Sequence, residues 1–135
     1  MNIDATNLIM GRIATVAAKK ALLGEDINVV NCDKAVITGN KKTTLAEFKR
    51  KREMGIPAKG PFIHRSSDKI MKRAIRGMIP YKQEKGVKAF KRIRCYVGVP
   101  EEIKNLETIK EADVSKVPNL KYLSLGKISK FMGSK

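Results

Sequence analysis

The stretch Lys59-Gly60-Pro61-Phe62-Ile63-His64-Arg65-Ser66-Ser67-Asp68-Lys69-Ile70-Met71-Lys72-Arg73-Ala74-Ile75-Arg76-Gly77-Met78-Ile79-Pro80 decides the reading of this chain. Ser66 and Ser67 both qualify as the N-cap of a helix, because a short side-chain oxygen can accept from a free amide of the first turn. Asp68 suits the positive end of the helix dipole. Pro80, with Gly77 shortly before it, predicts an end by about Ile79. In between, Ile70, Met71, Ala74, Ile75, Met78 and Ile79 recur on one side at helical spacing, and Lys69, Lys72, Arg73 and Arg76 on the other. One face is fitted to a core and the other to a polyanion.

Working outward toward the N-terminus, Asn2 to Ile9 contains a short stretch that can enter a sheet. Gly11 to Leu23 reads as a helix with Ile13, Val16, Ala17 and Ala21 on one face, stopped by Gly24. Ile27 to Cys32 is a β-branched run, hence a strand, so the chain opens strand, helix, strand, the pattern of a parallel βαβ unit. Val36 to Thr38 is another short apolar run. Lys41 to Glu53 reads as a helix with Leu45 and Phe48 inward and a basic run, Lys49 to Arg52, at its far end. Gly55 to Pro61 is a Gly/Pro-rich loop into the opening stretch. Beyond Pro80 come a polar loop, a turn or two of helix over Val87 to Arg92 with Val87 and Phe90 inward, and an alternating strand, Ile93 to Val97. From Glu101 onward the pattern predicts short helices wrapping the core. With 135 residues, the chain is expected to form one domain, 1–135, in which 101–135 is a C-terminal extension.

Charge narrows the function. The chain has 29 Lys and Arg against 13 Asp and Glu, net +16. Residues 1–40 are neutral, residues 41–94 hold eighteen basic and four acidic side chains, and residues 95–135 hold seven and five. Concentrating like charge opposes compactness, so a polyanionic partner that neutralises the middle segment is the natural reason for it. No run of 18 apolar residues exists to make a membrane helix, and the N-terminus lacks the basic-then-apolar pattern of a signal peptide. Cys32 and Cys95 are too few for a disulfide framework and are expected as buried free thiols.

A basic helix face is often only a solvated face. Here Arg65, the Lys49 to Arg52 run, Lys88, Lys91, Arg92 and Arg94 add the same sign around it, which favours nucleic acid. No helix-turn-helix, zinc finger or stacking pair of the RRM type is visible. Lys and Arg on a rigid scaffold suit phosphates and 2′-hydroxyls of folded RNA, whereas single-stranded bases need exposed aromatics, which are few. Gly39-Asn40-Lys41-Lys42-Thr43-Thr44 superficially suggests a phosphate loop. Lys34 stands where its first glycine belongs, however, and Lys41 does not follow a glycine, so an NTPase is rejected. A helix start with two lysines can still hold an RNA phosphate. His64, the only histidine, has no metal or catalytic set beside it and is better read as stacking on or hydrogen-bonding to RNA. The candidate RNA contacts are Arg12, Lys41, Lys42, Lys49, Arg50, Lys51, Arg52, Lys59, His64, Arg65, Lys69, Lys72, Arg73, Arg76, Lys82, Lys88, Lys91 and Arg92. No catalytic or metal-binding residue is nominated. A free-standing RNA- or DNA-binding protein is the alternative.

Several of these stretches resemble one family in its own order: Asp4-Ala5, Met10-Gly11-Arg12-Ile13-Ala14-Thr15, Asn31 to Gly39, Gly60-Pro61-Phe62-Ile63-His64-Arg65, Arg73-Ala74-Ile75-Arg76-Gly77-Met78-Ile79-Pro80 and Tyr96-Val97-Gly98-Val99-Pro100. They are similar to the universal large-subunit ribosomal protein L-thirteen family in its archaeal/eukaryotic form. The resemblance implies an α/β fold, a three-layer α/β/α domain with a small, mainly parallel central sheet. It also implies binding to large-subunit rRNA beside neighbouring ribosomal proteins in the cytoplasmic ribosome, a role in early subunit assembly, and no catalysis, cofactor, membrane or small-molecule substrate. Ser67 stands where many members carry Pro, and Ile79 where many carry Leu.

Overall fold

The strand–helix–strand opening is present. In the computed structural model, which describes residues 1–118 and 121–134, β1 (Asn2–Asp4) leads into α1 (Met10–Leu22) and then β2 (Ile27–Val30). β1 and β2 run parallel with Ile3 opposite Val29. β4 (Ile93–Cys95) joins the other side of β2, also parallel, with Val29 opposite Cys95. Between β2 and β4 the chain forms β3 (Val36–Thr38), α2 (Lys41–Glu53), α3 (Ser67–Gly77) and α4 (Glu84–Lys91). β5 (Tyr122–Ser124) and α5 (Leu125–Phe131) follow, and β5 pairs antiparallel with β3. The α/β class and the mainly parallel sheet are as expected.

Strand alternation puts Ile3, Ile27, Val29 and Ile93, all fully buried, on one face. α1 contributes Ile13, Ala14, Ala17, Ala18 and Ala21 to the same core, and its small side chains let α3 and α4 pack closely against it. At the alternate positions Val30 is buried as well, while Asn2, Asp4 and Asn28 are polar and hydrogen-bonded. Asn28 Nδ2 donates to Asn2 Oδ1 at 2.9 Å, and Asp4 Oδ1 accepts from Asn31 Nδ2 at 3.0 Å and from the Thr6 amide and hydroxyl at 3.0 and 2.7 Å. Burial alone would push the Asp4 carboxyl up, but these hydrogen bonds, helped by Lys34, outweigh it and hold the group below its ordinary value.

α3 starts at Ser67, with Ser66 as N-cap by backbone geometry although its hydroxyl makes no capping hydrogen bond. Ser67 therefore occupies the first helical position, where proline is also well tolerated, so the Ser/Pro difference leaves the start in place. α3 ends at Gly77, earlier than expected. Met78 falls at the C-cap and is 46% exposed instead of lying on the buried face, while Ile79 folds back into the core. α4 begins at Glu84, three residues before the expected start, and buries Gly86 and Ala89; Val87 points outward. The cause is a close approach, since a Cβ on Gly86 would stand 2.1 Å from the Pro80 carbonyl oxygen. Seating the glycine there turns Val87 to solvent.

The tail also departs from the all-helical expectation. Lys110–Ala112 and Val114–Lys116 are 3₁₀ turns and α5 is a helix, but Tyr122–Ser124 is a strand. Three residues carry too little alternation to announce a strand, and pairing with β3 decides it. Residues 119, 120 and 135 of the expected extension lie outside the described residues. Ala112, Leu123, Leu125, Ile128 and Met132 of the tail enter the same buried cluster as α1 and the sheet. Both cysteines are free thiols; Cys32 is buried and Cys95 half-buried. A hydrogen bond shared with Cys32, together with burial, pushes the Cys95 thiol up.

Candidate nucleic-acid interface

Burial of Ile70, Met71 and Ile75 clamps α3 against α1, β4 and α5, and that clamp sets the opposite face outward. Lys69, Arg73 and Arg76 are exposed and Lys72 is half-buried. Among the described residues, none of the four pairs with a carboxylate. Two rest on aromatic rings: Lys72 Nζ lies 5.1 Å from the Phe90 centroid, and Arg76 Cζ lies 5.2 Å from that of Tyr81. With Phe62, His64 and Phe90, these four cations line a recess of ≈ 360 Å³. A smaller recess beside it, ≈ 190 Å³, brings Phe48 and Lys51 of α2 to His64, Lys69 and Arg73.

α2 is less free to bind anions than its sequence suggests. Arg50 donates to the Glu47 carboxylate at 3.2 and 2.8 Å, and Lys51 Nζ lies 3.2 Å from it. Hydrogen bonds from Arg50 first and Lys51 second hold the Glu47 carboxyl down at about 2. A lowered folded-state value means the pairing is complete above the ordinary 4.5 and is lost as pH falls through about 2. Glu47 is thus ionised at neutral pH and partly neutralises both cations. If this surface meets RNA, Glu47→Gln is expected to tighten the binding and to steepen its log–log salt dependence by about one unit. Titrations at two or more salt concentrations check this, and an unchanged slope would mean that Arg50 and Lys51 stand away from the RNA.

Arg52 and Arg65 have a structural task at the C-terminal end of α5. Arg52 Nη1 donates to the Phe131 carbonyl at 3.3 Å, and the Arg65 guanidinium lies against Gly133. Cations are favoured there by the helix dipole. Ser129 Oγ also donates to the Arg65 carbonyl at 2.8 Å, which ties the loop before α3 to α5. Arg12 Nη1 donates to the Glu111 carbonyl at 2.5 Å and so secures the tail. Lys88 pairs with Glu84 at 2.6 Å. Lys41, Lys42, Lys49, Lys59, Lys82 and Lys91 are exposed and Arg92 is half-buried; none of these lines the α3 recess. At the start of α2, Asn40 already accepts from the Lys42 amide at 3.0 Å. The sequence reading missed the aromatic members Phe62, Tyr81 and Phe90. Their signal was present for Phe62 alone, an aromatic set between Pro61 and the His64-Arg65 pair. A roomier cavity of ≈ 630 Å³ lies between the start of α3 and α5, away from the α3 cations; its wall mixes serines with Asp33, Lys34, Lys127 and Lys130.

Among the described residues, no group of three or more His, Cys, Asp or Glu is gathered, and no helix is long and apolar enough to cross a membrane. A small α/β scaffold that holds the α3 cations outward on a core-clamped helix defines a basic protein with a polycationic face. Comparison makes the class particular. The family model described as Ribosomal protein L13 matches residues 1–102, and the chain belongs to that family. It is 48% identical to a protein named large ribosomal subunit protein uL13 from Methanosarcina barkeri, over 98% of this chain and 97% of that one. Proteins of the same name from Methanopyrus kandleri and Methanococcoides burtonii are 44% and 42% identical, covering 97% and 98% of this chain and 85% and 97% of theirs. The resemblance read from the motifs is thereby shown, and with it a structural, non-enzymatic role.

Proposed function

We propose that the chain is a structural constituent of the large ribosomal subunit in the cytoplasm. It binds large-subunit rRNA through the α3 face and the basic groups around it, beside neighbouring ribosomal proteins, and supports early subunit assembly. The observation that carries the reading is the set of four α3 cations that face the recess and, among the described residues, have no carboxylate partner. Membership of a ribosomal protein family supports it. The core holds α2, α3 and α4 at set spacing, so that many Lys and Arg contacts close several RNA segments onto one surface. The tail belongs to the same unit, 1–135, a view supported by the core residues it shares with the sheet.

If about eight phosphates are neutralised, the log–log salt slope for rRNA binding is expected to be roughly −6 to −7. A slope near −1 would remove the extended footprint. Sedimentation separates this reading from a free-standing RNA- or DNA-binding factor. A ribosomal constituent stays with large subunits through a high-salt wash, and a free factor is released.

A further inference from the structure

Phosphate contacts leave one feature of the α3 face unused. Phe62 is 73% exposed, yet it stands in a recess whose other members are His64, Phe90 and the α3 cations. A single exposed phenylalanine is ordinary. One placed beside a histidine at the rim of a cationic recess without a lining carboxylate is a different arrangement, because a nucleotide needs an aromatic face for its base and a cation for its phosphate.

We infer that this recess takes one unpaired nucleobase of a bulge or loop in folded RNA, stacked on Phe62 and His64, with the flanking phosphates on Arg73 and Arg76. The inference rests on the RNA-binding reading and names the ligand of its central site. Phe90 serves as a wall, since Lys72 already covers its ring at 5.1 Å. The volume, ≈ 360 Å³, falls in the size range of small-ligand sites. Phe62 is presented by a closed turn: the Lys59 and Gly60 amides donate to the Ile56 carbonyl at 3.2 and 2.9 Å. Gly60 has φ +83°, and a Cβ there would stand 3.1 Å from the Phe62 ring. The turn fixes the backbone from which the ring projects, which lowers the ordering cost when a base stacks on it. An apolar plug from a neighbouring protein would use Phe62 but leave four cations without anions; an extruded nucleotide satisfies both.

The test compares three RNA hairpins of one stem: fully paired, with a single bulged 2-aminopurine, and with an abasic bulge at that site. The unmodified chain is expected to bind the 2-aminopurine hairpin about tenfold tighter than the abasic one, the scale of a base–aromatic stack. The 2-aminopurine fluorescence should rise on binding, as the base leaves the quenching stack of the RNA for a phenyl ring, a weak quencher. Phe62→Ala, at an exposed position, is expected to bind the two bulged hairpins alike and without that rise, and Phe62→Trp to keep the preference for the base. Equal affinity of the unmodified chain for both bulges overturns the base site and leaves the phosphate face standing; Phe62 would then serve a protein neighbour. Failure to bind any of the three hairpins at low salt overturns the RNA-binding reading itself.

Discussion

With Arg73 and Arg76 both replaced by glutamate, affinity for large-subunit rRNA is expected to fall by about 100-fold or more. Hydrogen bonds to charged groups contribute about 1.5–3 kcal/mol each, and 1.4 kcal/mol is a factor of ten. Reversal adds repulsion to the loss of each contact, and the salt slope should become shallower by about two units. Thermal unfolding is expected to move by no more than about 2 °C, because surface substitutions away from buried features stay within about 0.5 kcal/mol. Both side chains are exposed, and among the described residues the contact that is lost is that of Arg76 with Tyr81. Filter binding at several salt concentrations beside a melting curve checks both halves. Unfolding of the double variant would mean that the cationic face of α3 is internal, and an unchanged affinity would mean that the RNA lies elsewhere.

Gly86→Ala is expected to destabilise the protein by about 2 kcal/mol, the outcome of two opposed effects. Helix propensity alone predicts the reverse, a gain of about 0.8–1 kcal/mol for alanine inside α4. The added methyl, however, would sit 2.1 Å from the Pro80 carbonyl oxygen and 2.4 Å from its carbon. Backbone cannot rotate away as the end of a side chain can, so α4 must lift off the turn, and overpacking of this kind costs about 1–3 kcal/mol or more. The clash wins, and the melting temperature should drop by about 8 °C. α4 also carries Phe90, under Lys72, so the recess should open as the helix shifts. A melt within a degree of the unsubstituted chain would show that α4 does not rest on the Pro80 turn.

Much of the fold was legible because its elements announce themselves locally. The opposed periodicities of Ile70, Met71 and Ile75 against Lys69, Arg73 and Arg76 survive in α3, where core contact and solvent take one face each. The bounds of α2, Lys41–Glu53, coincide with the expected helix because Asn40 caps one end and the Gly/Pro-rich loop terminates the other. Met78 departs from the expected buried face because periodicity assumes that a helix continues, whereas α3 stops a turn before Pro80. Val87 departs because an apolar residue in a short helix reads as inward, and the Gly86 approach to Pro80 has no local signal. Of the candidate site, residue type and charge sign were legible, but not which cations were free. Glu47 lies one turn from Arg50 and Lys51, and only side-chain geometry shows that it holds both.

By itself the sequence determined the α/β class, the parallel opening, the two-faced helix and the ribosomal protein family, since all four follow from spacing and motifs that neighbours along the chain carry. Tertiary structure alone decided the rest. It made Tyr122–Ser124 a strand by supplying β3 as a partner. It sent Arg52 and Arg65 to the end of α5. It also gathered Phe62, His64 and Phe90 around the α3 cations. The strand, the α5 contacts and the place of Phe90 depend on groups far apart in sequence meeting in space, and such a meeting leaves no period, cap or motif to read.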